Sequence, residues 1–90
     1  MKLKKLISDD IESFLNKAIH HERTNVQLYA AIYSWLVENG FNNAGEVLHK
    51  WGDEELGHAH KVEGFIDDRN ACIIIPALDK PSTKFKGIME

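Results

Sequence analysis

Two long amphipathic stretches, separated by Asn39-Gly40, limit what this chain can fold into. In the first, Ile11, Leu15, Ala18, Glu22, Asn25, Tyr29, Ile32 and Leu36 recur in alternating steps of four and three. In the second, Ala44, Leu48, Trp51, Glu55, His58, Val62, Phe65 and Arg69 do the same. That alternation is the spacing of a helix-packing seam. The pattern predicts an all-α chain with helices over about 9–38 and about 43–69. Ser8, Asp9 or Asp10 can cap the first helix, with Glu12 in its first turn. Gly40 stands where a helix C-terminus takes a left-handed residue, and Asn42 or Asn43 can cap the second helix. The chain then reads as one domain, residues 1–90, built on a long antiparallel hairpin.

Folding the hairpin about Gly40 makes opposing residue numbers add to roughly 80. Leu15 then faces Phe65, Ala18 faces Val62, Tyr29 faces Trp51 and Ile32 faces Leu48. The polar members of the stripes meet too: Glu22 opposes His58 and Asn25 opposes Glu55. Glu55 and His58, three apart, leave one helix face a turn apart. Carboxylates and an imidazole in an apolar seam must be paired or must bind something. A metal ion is the most economical occupant.

Phe14, Ile19, Val26, Leu28, Tyr33 and Trp35 widen the first stripe beyond what one partner helix covers. Two hairpins about a twofold axis would close the core as a four-helix bundle. The site would then hold Glu22, Glu55 and His58 from each copy, a donor set suited to a pair of iron or manganese ions.

Composition excludes other classes. A net charge of −3 argues against a nucleic-acid surface. No apolar run approaches the ~20 residues of a membrane span, and Asp9-Asp10 cut the lysine-flanked N-terminus too short for a signal peptide. Cys72 is the sole cysteine, which suits a reducing compartment and a cytoplasmic protein. From Asn70 onward, β-branched Ile73-Ile74-Ile75 before Pro76 predicts an extended tail over 70–90, with a helical turn from Pro81-Ser82 through Met89.

Leu15 to Glu22 with Tyr29 resembles the first helix of ferritins and bacterioferritins, and Glu54-Glu55-Leu56-Gly57-His58 resembles their Glu-Glu-x-x-His signature. Asp79-Lys80-Pro81 sits where that family has the crossover before its third helix. The resemblance covers Leu15 to Pro81, the N-terminal half of the family's bundle, and implies a ferritin-like homodimer or higher homo-oligomer. It implies that Glu22 binds one iron terminally, Glu55 bridges a di-iron pair and His58 binds through a ring nitrogen. Tyr29 would support them, as a nearby electron donor or simply as core. The implied activity is a ferroxidase reaction, oxidation of ferrous iron by oxygen or peroxide.

Other readings stay open. The polar layer could fix the register of a non-catalytic, self-associating hairpin, or hold zinc or manganese. His20, His21, His49 and His60 fall off the stripes and are expected in solvent, as is Glu54. Trp35 and Trp51 are expected in the core, and Cys72 is expected to act as a small apolar residue.

Overall fold

A computed structural model of the chain describes residues 3–85. Helix α1 spans Asp9–Glu38 and helix α2 spans Asn42–Asp68, packed as an antiparallel hairpin in a rod 52 Å long and 20 Å across. Ser8 Oγ accepts the Ile11 N–H at 3.2 Å, which satisfies one orphan donor at the start of α1. Asp9, Asp10 and Glu12 crowd the same turn, where negative charge complements the helix dipole.

Both helices stop on the same device. At the end of α1, Gly40 has φ +85°, Phe41 N–H bonds Leu36 O at 2.8 Å and Gly40 N–H bonds Val37 O at 3.1 Å. At the end of α2, Asn70 takes the left-handed position with φ +57°, Ala71 N–H bonds Ile66 O at 3.1 Å and Asn70 N–H bonds Asp67 O at 3.0 Å. Both are Schellman endings, which satisfy the last carbonyls and turn the chain sharply. The first of them displaces the expected asparagine cap of α2. Phe41 occupies that cap position without a side-chain hydrogen bond, and Asn42 is already helical. Phe41 is committed twice: its N–H ends α1, and its carbonyl accepts Gly45 N–H at 2.9 Å to start α2. Its ring stacks on Trp35 at 6.4 Å.

The seam is rotated from the expected one. Fully buried positions are Ile19 and Leu36 in α1 and Gly45, Ala59 and Ile66 in α2, mostly one residue beyond the expected stripe members. Ile19, Ile66 and Ala71 form the core with Ile7, Leu15, Val62 and Ile73 around them. Ile11, Trp51 and Phe65 keep 49%, 48% and 40% of their surface exposed, so Trp51 is not the core residue its stripe position suggested. The physical reason is the width of the apolar surface. Each helix can turn only one edge of a wide stripe toward its neighbour, and the other edge is left open.

Two glycines of α2 behave in opposite ways. A Cβ at Gly45 would stand 3.0 Å from Val37 Cγ2, whereas a Cβ at Gly57 would meet nothing within 4 Å. Gly45 therefore permits close helix approach. Gly45→Val should cost about 1–3 kcal/mol through overpacking. Gly57→Ala should gain roughly 0.5–1 kcal/mol from helix propensity. Chemical denaturation of the two variants checks both signs.

Residues beyond α2 run back along α1. Glu12 Oε2 accepts Cys72 N–H at 2.8 Å, and Asn16 both donates to Cys72 O at 2.9 Å and accepts Ile74 N–H at 2.8 Å. Phe85 then reaches Trp35 edge-on at 6.5 Å, near the far end of the helix. Cys72 is exposed rather than packed, because this pinning uses its backbone and turns the thiol outward. No helical turn forms over 81–85. Ser82 Oγ instead accepts Lys84 N–H at 3.2 Å, a local bond that competes with a helix. The expected continuation to Met89 lies outside the described residues.

Candidate metal centre

Glu22 lies near the middle of α1, and Glu55 and His58 lie near the middle of α2. Each of the three offers a ligand atom, and these atoms all lie within 4.8 Å of one another. His58 Nδ1 is 3.2 Å from Glu55 Oε1 and 3.6 Å from Glu22 Oε2. Asn25 Nδ2 donates to Glu55 Oε2 at 3.1 Å, so both expected polar pairs across the hairpin are in place. Tyr29, seven residues past Glu22, packs edge-on to Trp51 at 6.2 Å, and its Cβ passes close to Gly52.

The layer is less enclosed than its place on the stripes suggested. The Glu22 and Glu55 side chains retain 21% and 19% of their surface, and His58 retains 54%. Rotation of the seam explains this: the triad sits at the margin of the hairpin, facing the open side. Trp51, His58 and Phe65 follow one another at seven-residue spacing, so the exposed apolar side chains flank the imidazole on one helix face.

The two carboxyls divide in protonation. Loss of hydration, followed by the hydrogen bond to Glu55, raises Glu22 above the ordinary glutamate value. The Asn25 amide, followed by the hydrogen bond from Glu22, lowers Glu55. Of the two, Glu22 therefore holds its proton to the higher pH. A carboxyl that binds its proton more tightly folded than unfolded stabilises the fold fully below the ordinary value of 4.5, and that contribution is lost as pH rises through its raised value. Glu55 runs the other way: its contribution is present above 4.5 and is lost as pH falls through its depressed value. Glu22→Gln removes only the first effect. In metal-free protein the variant should melt with the wild type in acid and progressively above it as pH rises toward neutrality. A thermal melt series across pH checks this.

One participant lay hidden in the periodicity. His21 is off the stripe and exposed, yet its Nε2 lies 3.5 Å from the Asn25 amide nitrogen. The only signal was its spacing of four from Asn25. The Arg23–Glu63 pair, in which Nε and Nη2 both donate to Oε2 at 2.9 and 2.7 Å, was also not foreseen. It ties the helices together one turn from the triad. His20, His49, His60 and Glu54 are exposed, as expected. No helix among the described residues is long and apolar enough to cross a membrane.

Comparison with known proteins agrees with this architecture. The ferritin-like domain family matches residues 12–90. The chain is 26% identical over 85 residues to a bacterial non-heme ferritin of Campylobacter jejuni, covering 94% of this chain and 51% of that protein. It is 22% identical to a probable bacterial non-heme ferritin-like protein of Haemophilus influenzae, with 94% and 52% covered. Among solved structures, a humanized archaeal ferritin superposes with a TM-score of 0.85 at 26% identity, over 89% of this chain and 48% of that one. An open pore ferritin from Archaeoglobus fulgidus gives 0.83 at 25% identity, over 88% and 49%. The chain spans about half the length of the curated relatives it matches. Its two helices and their order are those of one half of a ferritin bundle, and the chain belongs to the ferritin-like domain family.

Proposed function

We propose that two copies of this chain pack face to face into a four-helix bundle that binds iron between them and oxidises it from ferrous to ferric. The observation that carries this reading is the convergence of Glu22, Glu55 and His58 within 4.8 Å at mid-hairpin. The donor set fits iron: two carboxylates per chain balance one divalent ion, and a neutral imidazole adds a ligand without adding charge. The names of the relatives, non-heme ferritins, point to the same metal. Manganese or zinc could use the same donors.

In this reading Glu22 and Glu55 would hold the iron through carboxylate oxygens and His58 would hold it through a ring nitrogen. Iron is the substrate, and when bound it supplies one electron per ion to oxygen or peroxide. The side chains bind, orient and move protons. Glu22 binds metal only as the carboxylate, so protons compete with metal there and binding weakens as pH falls. Tyr29, packed on Trp51, would serve as a supporting electron donor or simply as core. We place the activity in iron handling in the cytoplasm, a reducing setting that a lone cysteine suits. Anaerobic titration of apoprotein with ferrous iron, followed by air, tests the proposal. Saturation near about one iron per chain, then a ferric absorbance rise, is expected. Absence of iron binding would remove it.

A second reading is favoured by one contact. The Asn25–Glu55 hydrogen bond joins the helices directly, side chain to side chain, as a register-setting polar layer would. It requires that metal removal leave the melting temperature unchanged.

A further inference from the structure

We infer that Asn25 is a positioning residue of the metal site: its side-chain amide, presented from α1, fixes the orientation of the Glu55 carboxylate on α2. This rests on the reading that Glu22, Glu55 and His58 hold metal. The terminal torsion of a glutamate is soft, so a lone carboxylate samples many orientations. Glu55 is held at both oxygens from different helices. Asn25 Nδ2 donates to Oε2 at 3.1 Å, and His58 Nδ1 lies 3.2 Å from Oε1.

Asn25 is itself oriented. An amide nitrogen carries two protons. The first goes to Glu55, and His21 Nε2, 3.5 Å away, accepts the second when that nitrogen is unprotonated. His21, Asn25 and Glu55 thus form one chain of contacts, running from the exposed flank of α1 into the site. A carboxylate has about four lone-pair positions; the amide and the imidazole take about two, leaving about two for metal.

The choice of an amide is chemically specific. Leucine at position 25 would suit the apolar stripe but would leave Oε2 unheld. Aspartate would keep the shape but supply no donor, and would turn a third negative charge toward Glu55. Outer hydrogen bonds of this kind typically govern metal affinity about 10- to 100-fold.

Co2+ binding, which involves no oxidation, is the test. Wild type, Asn25→Asp and Asn25→Leu are titrated with Co2+ by calorimetry and visible absorption, and metal-free melting temperatures are recorded in parallel. The inference expects both variants to bind Co2+ about 10- to 100-fold more weakly while the metal-free folds melt near wild type. Should wild type bind no Co2+, the metal-site reading falls and the inference with it. Should wild type bind and Asn25→Asp bind equally or more tightly, the positioning role alone is overturned, because shape rather than donation would then suffice. If the leucine variant does not fold, the isosteric aspartate variant decides. An independent readout is hydrogen exchange of the Asn25 side-chain protons in Zn2+-loaded wild type. Slow exchange agrees with a held amide, and free exchange overturns it.

Discussion

Glu55→Ala is expected to abolish metal binding, and iron oxidation with it, while leaving the hairpin folded. Glu55 touches more members of the layer than any other residue in it. It accepts from Asn25, lies against His58 and sits within 4.8 Å of a ligand oxygen of Glu22. In a twofold bundle the substitution removes a ligand from each copy. The expected loss is at least about 100-fold in affinity for Co2+ or ferrous iron, beyond the 10- to 100-fold range of an outer hydrogen bond. The fold should survive because His58 is half exposed and both it and Asn25 can turn to water. Glu55→Leu should lose metal equally. Glu54→Ala, one residue away and exposed, is the control and should bind normally. Calorimetry on the three variants reads all of this. Normal metal binding by Glu55→Ala would end the proposed site.

The helices, the turn and the polar pairs were legible because each rests on local chemistry. Ser8 declares a cap, Gly40 declares a left-handed ending, and steps of four and three declare a packed face. Glu22 and His58, like Asn25 and Glu55, could be paired because a hairpin about a fixed turn leaves little freedom of register. The rotation of the seam was not legible. Periodicity reports that a face is apolar; it does not say which neighbour covers which edge. Ile19 and Ile66 are buried rather than Ile11 and Phe65 because they share one core across the hairpin, which Ile7, Ala71 and Ile73 complete from outside the helices. The true cap of α2 was hidden for a related reason. Phe41 is chosen by the ending of the preceding helix and by its stack on Trp35, not by any capping propensity of its own. His21 escaped notice because an exposed imidazole has no period to break. Its role appears only once Asn25 has been turned toward Glu55 by the opposite helix.

The second large effect concerns the open face itself. Replacing Trp51 and Phe65 together with glutamate should leave the chain monomeric and without metal, whereas Ile74→Glu should leave both the native mass and metal binding unchanged. Trp51 and Phe65 flank His58 on one face of α2 and keep 48% and 40% of their surface exposed in a single hairpin. On α1, Phe14 and Leu28 stand seven residues to either side of His21, with 70% and 38% exposed. Covering such side chains is worth about 1.5–3 kcal/mol each when burial is complete, so a partially exposed set still provides a strong drive for a twin to dock there. Placing carboxylates in that contact reverses the sign, because several kcal/mol of lost hydration find no cation in return. With two such changes per chain, repeated by symmetry, the dimer dissociation constant should rise on the order of 10³-fold or more. Ile74 is more exposed than Trp51 or Phe65, at 60%, but it belongs to the tail that Asn16 pins along α1. A charge there meets water in either state. Light scattering across a concentration series, with metal content measured on the same fractions, separates the outcomes. A double variant that remains dimeric would show that the twin docks elsewhere. A monomer that still binds iron at wild-type strength would show that one hairpin's three ligands suffice, and the need for a second copy would disappear.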